Sequence, residues 1–277
     1  MINFVVALAC EAKPLIQALK LKNVANYANF PLYENDEFRL IITGIGKLNA
    51  ATATSYLAGL NESEKNNVWL NVGIAGHQDA NIGSPMLANK IIDGGSGLNW
   101  YPIFIRPLTT VKSTSLVTQD HAQKEYEPNT LYDMEAAGFY LAASRFNTTE
   151  FIHSLKIVSD NQASPAGYLP EKDVSQLIST NLEIIEQTAL QLNEPAQQWQ
   201  SISQAASEYD KFLAKWHFTV YQQNSLKQLL KRWNTLFDNQ PIWTQGLTNL
   251  NNSKQVLRYI EQKIKQSNIQ FGSPAKD

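Results

Sequence analysis

Leu131–Tyr140 reads LYDMEAAGFY and Lys156–Asn161 reads KIVSDN, and these two stretches decide how the chain is to be read. Each sets acidic residues against apolar ones. In the first, Asp133, Met134 and Glu135 open an alanine-rich segment. Ala136, Ala137, Ala142 and Ala143 are strong helix formers, and acidic residues in a first turn suit the positive end of a helix dipole. In the second, Phe151–Val158 is an apolar, β-branched run of strand length, and Asp160 sits just past its end. Carboxyl ends of strands in α/β sheets are where ligands usually bind. Taken singly, Glu135 reads more readily as a helix cap residue and Asp160 as a turn aspartate.

Outward from this pair, strands and helices alternate. Asn3–Ala9 is a near-continuous apolar run, the pattern of a strand buried on both faces. Cys10–Pro14 reads as a turn and Leu15–Leu21 as a short helix. Phe38–Thr43 is a second strand, closed by Gly44-Ile45-Gly46, and Lys47–Leu60 follows as a helix. Val68–Ile74 is a third strand, leading into Ala75-Gly76-His77. Ala88–Ile92 and Ser115–Thr118 are weaker strands, and Val174–Leu192 is the last helix of this part. Alternation of this kind predicts an α/β fold with a largely parallel sheet.

The character changes near residue 194, where Glu194-Pro195 is expected to break the helix. Residues 195–277 hold ten basic and five acidic side chains, a formal +5, against −7 for the first 194 residues. Helical stripes predict a small all-helical appendage: Tyr209, Phe212, Leu213, Trp216 and Val220, then Leu226, Leu229, Leu230, Trp233 and Phe237, then Val256, Ile260 and Ile264. Trp199, Trp216, Trp233 and Trp243 are expected to pack it, with docking of a protein partner or a lid over the cleft as the other uses. The division expected is therefore 1–194 and 195–277.

Composition narrows the function. A formal charge of −2 over 277 residues makes no case for membrane or nucleic acid as partner. The single Cys10 excludes an internal disulfide and fits a reducing, cytoplasmic setting. No apolar run reaches the roughly 18–20 residues of a membrane span. His77, His121, His153 and His217 are scattered without metal-ligand spacing, so neither metal nor cofactor is expected. Gly44-Ile45-Gly46-Lys47 fails both the P-loop and the dinucleotide patterns, since Leu48 and Asn49 stand where Ser/Thr and Gly are needed. It remains either a tight turn or a set of backbone N–H groups facing an anion or polar ligand. No Gly-x-Ser-x-Gly elbow supplies a hydrolase nucleophile.

Five motifs in order, ALACEAKPLI, TGIGKLNAATA, NVGIAG, DMEAAG and IVSDN, resemble the nucleoside phosphorylase/nucleosidase superfamily over residues 1–192. The resemblance implies one α/β domain around a central mixed, partly barrel-like sheet, a homo-oligomer such as a dimer, and a small-molecule nucleoside as ligand. It places Met134 and Glu135 against the ribose, with Glu135 accepting from the 2′- and 3′-hydroxyls, and Ser159 and Asp160 at the purine, with Asp160 as general acid at N7. Ile74, Gly76 and His121 would complete the substrate contacts. Here the chain departs from the family. Lys13 stands where the best register expects the water-activating glutamate, with Glu11 two residues earlier, and Ile74 replaces a hydroxyl. Phosphorolysis, with inorganic phosphate beside Lys13, Gly44 and Gly46, and hydrolysis with Glu11 as base both remain open. So does a nucleoside-binding or regulatory protein that kept the pocket and lost turnover.

Overall fold

The computed structural model describes residues 1–24, 30–60, 67–104, 111–123, 125–165, 167, 169–203, 208–237, 240–243 and 245–267. The chain divides into two compact units, Met1–Gln197 and Gln198–Asp277.

The first unit is built on a ten-stranded sheet: β1 (Ile2–Val6), β2 (Lys22–Asn23), β3 (Leu32–Glu34), β4 (Phe38–Ile42), β5 (Val68–His77), β6 (Pro85–Asp93), β7 (Asn99–Trp100), β8 (Lys112–Thr118), β9 (Thr130–Asp133) and β10 (Ile152–Asp160). β5 is its spine. It pairs in parallel with β1 on one edge and β10 on the other, and its last residues meet β9 antiparallel through Gly76 opposite Tyr132. Because β10 also pairs β6, β6 pairs β8 and β8 pairs β9, five strands close on themselves, and β1, β4, β3 and β2 extend from the closed part. The sheet is thus mixed and partly barrel-like.

Helices α1 (Ala9–Ala18), α2 (Lys47–Gly59), α3 (Ala136–Ala143), α4 (Glu171–Thr180) and the part of α5 (Leu182–Ser203) that lies in this unit pack on it. Strand alternation divides the core in two. Phe4, Val6, Leu70, Val72, Leu155 and Ile157 join α1, α4 and α5 in one cluster. Val5, Ile41, Trp69, Ile152 and Val158 join Ala50, Leu57, Phe139 and Tyr140 of α2 and α3 in the other. Each such buried Leu, Ile or Phe contributes about 1.5–3 kcal/mol, which is what fixes the strand register under the site.

Several local expectations are corrected. The segment expected as a turn is the first half of α1, with Pro14 inside the helix. Proline leaves the carbonyl four residues back without its usual donor, and here the Ser175 hydroxyl donates to Cys10 O at 2.6 Å instead. Val174–Leu192 is two helices rather than one: the Asn181 amide donates to Leu177 O and Gly83 O and ends α4 there. Pro195 does not break its helix, since α5 runs on to Ser203. β10 includes Asp160 as its last residue, and the acidic pair precedes α3 instead of lying in its first turn.

The regular elements described in the second unit are all helices: α6 (Tyr209–Lys215), α7 (Val220–Leu236), α8 (Gln245–Thr248) and α9 (Ser253–Gln266). Phe212, Trp216, Leu226, Leu230, Trp233, Val256, Ile260 and Ile264 form its core. Val220 does not belong to the first stripe, being 75% exposed at the start of α7, and the Trp199 side chain lies outside the description. The indoles of Trp216 and Trp233 each donate to a backbone carbonyl, so their polar edges are satisfied within the unit.

Candidate active site

Parallel strands β1, β5 and β10 all end at one edge of the first unit. The chain there opens a cleft. Glu11, Met134, Glu135, Ser159 and Asp160 line it, with Ile74 and Gly76 from the end of β5.

Glu11 arrives from the first turn of α1. Its carboxylate accepts from Leu8 N and from Ile74 N, both at 2.9 Å, so one side chain ties the start of the helix to β5. Burial pushes its pKa up, against the pull of Lys156 and of those N–H groups.

Asp133, not Glu135, serves α3. It accepts from Ala136 N at 2.9 Å and from the Thr118 hydroxyl at 2.7 Å, and Thr118 in turn accepts from Ala137 N. Glu135 occupies the N-cap position of α3 yet makes no capping bond. Its Oε1 accepts instead from Gly46 N at 2.8 Å, 89 residues away in sequence. Gly46 can offer that N–H because its φ of +101° is open to glycine and strained for other residues. Burial, and next the charge of Asp133, push the Glu135 pKa up to about 7.

Lys156 is 1% exposed and bonds Asp133 at 2.9 Å. Burial alone would favour its neutral form, but Asp133, Glu135 and Glu11 surround it and hold its pKa above the ordinary value. One cation among three buried carboxylates leaves an excess of negative charge. A proton held by Glu135 near neutrality relieves that excess, so the cluster is equipped to take up and release protons.

At the far wall, Asp160 accepts from the Ser159 hydroxyl at 2.5 Å and from the Tyr126 hydroxyl. Gly76 lets them close in: a Cβ there would lie 2.5 Å from Asp160 Oδ2 and 2.6 Å from the Tyr126 ring.

Other candidates fall elsewhere. Lys13 is exposed on α1, in a separate depression with Glu171 and Lys172, because it lies half a turn round the helix from Glu11. His121 is exposed and does not line the cleft, although its neighbours Ala122 and Gln123 do. The Gly46 N–H is taken by Glu135, and Gly44 N donates to Ala7 O, so neither faces an open anion site. Lys47 bonds Asp93 at 2.8 Å and Asp120 at 3.0 Å. Among the described residues no cluster of three His, Cys, Asp or Glu could hold a metal ion, and no helix is long and apolar enough to cross a membrane.

No family model and no curated protein matches the chain. Solved structures do. The 5′-methylthioadenosine nucleosidase of Arabidopsis thaliana in apo form aligns with a TM-score of 0.56 at 18% identity, over 70% of this chain and 95% of its own. A 5′-methylthioadenosine/S-adenosylhomocysteine nucleosidase from Colwellia psychrerythraea 34H, in complex with adenine, gives 0.54 at 17%, over 69% and 94%. The futalosine hydrolase of Helicobacter pylori strain 26695 gives 0.55 at 13%, over 69% and 97%. The chain has the nucleoside phosphorylase/nucleosidase fold.

On this nucleosidase fold, sequence reasoning missed Lys156, Asp133, Thr118 and Tyr126 as parts of the site. Lys156 left a signal, a lysine inside an otherwise apolar strand, which only a buried counter-charge explains. Tyr126 left none, since it lies in a connection whose path local pattern does not predict.

Proposed function

We propose that the chain hydrolyses the N-glycosidic bond of a purine nucleoside. The observation that carries this is the meeting of Glu11, Glu135 and Asp160 on one cleft, from three separate parts of the chain. Breaking the bond between C1′ and N9 leaves positive charge on the ribose and negative charge on the base. Glu135, acceptor-only when ionised, takes the 2′- and 3′-hydroxyls. Met134 packs on the sugar, and Asp160 gives a proton to N7 as the base departs, general acid catalysis typically worth about 100- to 10,000-fold. Glu11, its pKa raised by burial, takes a proton from the water that attacks C1′.

Water is favoured over phosphate because, among the described residues, no Lys, Arg or His lines the cleft. The apolar Leu8, Ile45 and Met134 beside it suit a 5′-modified adenosine. The solved neighbours support the same chemistry, being nucleosidases and a hydrolase by name, one of them holding adenine. Ile45 is 52% and Leu48 79% exposed, which supports pairing of two copies at this edge; light scattering at twice the monomer mass is the result expected.

The test is release of free base from methylthioadenosine, 5′-deoxyadenosine, adenosine and inosine, with and without phosphate. Release independent of phosphate is expected, and Glu11→Gln lowers kcat by about 100- to 10,000-fold. Sugar 1-phosphate formed only with phosphate would establish phosphorolysis. Ile74, apolar where the family carries a hydroxyl, motivates a second reading, a binding protein without turnover. Melting shifts with the panel but no product would favour it.

A further inference from the structure

We propose that Tyr126 is the positioning residue of the purine side, holding the Asp160 carboxyl in line for N7 and stabilising the charge it acquires on giving up its proton. This rests on the nucleoside-cleavage reading above. Three observations carry it. First, the Tyr126 hydroxyl donates to Asp160 Oδ2 while the Ser159 hydroxyl donates to Oδ1, so each carboxyl oxygen has its own donor. Ser159 precedes Asp160 on the same strand and follows it in any movement; Tyr126 comes from a different part of the chain and can fix the carboxyl from outside.

Second, the phenol is itself braced. Its ring lies edge-on against Tyr132, centroids 5.9 Å apart at 62°. The Tyr132 hydroxyl accepts from Glu127 N at 3.2 Å, so the residue after Tyr126 is anchored to the ring that Tyr126 leans on. Tyr132 is buried, belongs to β9 and lines the cleft. A side chain braced on both backbone and ring gives up little rotamer freedom when it holds a ligand, which is what a positioning group requires.

Third, Gly76 makes room for the pair, since any side chain there would collide with both Asp160 and the Tyr126 ring. An aspartate needed only as a turn or strand-end residue would not require a glycine on the neighbouring strand.

The chemistry follows. As the C1′–N9 bond breaks, the base takes the bonding electron pair, N7 takes the proton of the Asp160 carboxyl, and Asp160 is left as carboxylate. Hydrogen bonds from hydroxyls favour that ionised form over the acid, so they strengthen as the reaction proceeds. A bond made to a developing charge in this way acts on kcat more than on KM.

The experiment is a double-mutant cycle on the full chain, with wild type, Tyr126→Phe, Asp160→Asn and the double variant assayed on the best nucleoside of the panel. Phenylalanine keeps the ring contact with Tyr132 and removes only the hydroxyl. Losing a hydrogen bond to a charged group predicts that Tyr126→Phe lowers kcat by about 10- to 100-fold, with KM within about threefold of wild type. In the Asp160→Asn background the same change should cost less than about threefold, because the group it acts through is gone. Equal losses in both backgrounds, a loss confined to KM, or an unaltered kcat would each overturn the assignment. A wild type that releases no base from any nucleoside would defeat the cleavage reading itself, a different failure. If Tyr126→Phe is poorly folded, Tyr126→His, which keeps a donor near the carboxyl, should recover part of the rate; equally low rates for both would overturn the role.

Discussion

Two helices of this chain begin with a polar residue at the N-cap position and put it to opposite use. Thr219 starts α7, and its hydroxyl accepts from Gln222 N at 3.3 Å while Gln222 Oε1 accepts from Thr219 N at 3.0 Å, a reciprocal capping box. Glu135 starts α3, yet its side chain makes no capping bond to it; Asp133 caps that helix from two residues further back. Thr219 therefore satisfies donors that would otherwise lack partners, whereas Glu135 carries a charge into a buried cluster for which the helix has no need. Where a cap position is left unused by its helix, the side chain is available for other chemistry, and here it faces the cleft. The contrast can be tested, because it assigns opposite signs to the stability contributions of the two residues.

The largest effect belongs to the cation that makes the α3 arrangement tolerable. Lys156→Met removes the positive charge from among Asp133, Glu135 and Glu11 and leaves buried carboxylates facing one another. Breaking a buried pair from one side typically costs about 3–5 kcal/mol, so urea unfolding at pH 8 should lose stability on that scale. Part of it should return near pH 5, where Glu135 holds its proton. A loss below about 1 kcal/mol at pH 8 would show that the cluster does not depend on this cation.

Next comes Glu135→Gln. The folded pKa of about 7 lies above the ordinary glutamate value of 4.5, so the folded chain binds this proton more readily than the unfolded one between those limits. Wild-type stability therefore falls as pH rises through that window, by about 2–3 kcal/mol from this group alone. Glutamine cannot titrate, so the variant should lose less stability than wild type between pH 5 and pH 8. The same change should weaken ribose recognition, and a 2′,3′-dideoxy nucleoside should be insensitive to it. Parallel stability curves for the two proteins would remove Glu135 from the cluster's proton balance.

The same contrast explains which parts of the molecule the sequence discloses. Thr219 and the apolar stripe Leu226, Leu230 and Trp233 are local facts: cap and period lie within one helix, and the core they form follows from them. Strands β1, β4, β5 and β10 were equally open to reading, since burial on both faces leaves a continuous apolar run. β9 was not, for its four residues pair at both edges only because distant strands close around it. Glu135 and Asp160, which the motif resemblance singled out, both line the cleft. Glu11 lines the cleft and Lys13 a separate depression for one reason: two residues along a helix is about 200° around it, and an ungapped register cannot see which of two near neighbours turns inward. Tyr126 reaches Asp160 across 34 residues through a connection with no periodicity, so only the folded chain brings the two together.

The smallest predicted effect is the one that closes the comparison. Thr219→Ala removes the acceptor of the α7 cap, and N-cap substitutions of this kind cost about 1 kcal/mol. Gln222 N then loses its acceptor, while Gln222 Oε1 keeps both the backbone N–H of residue 219 and the Ser253 hydroxyl at the start of α9. The loss should therefore fall on α7, visible as faster amide hydrogen exchange in its first turn, with the first turn of α9 unchanged. No group of this box titrates between pH 5 and pH 8, so the loss should be constant across that range, unlike the sloping difference for Glu135→Gln. Thr219→Ser, which keeps the acceptor, should recover most of it. A pH-dependent Thr219→Ala loss, or none at all, would mean that the hydroxyl is not stabilising α7, and the opposition between the two helix starts would fail from the structural side.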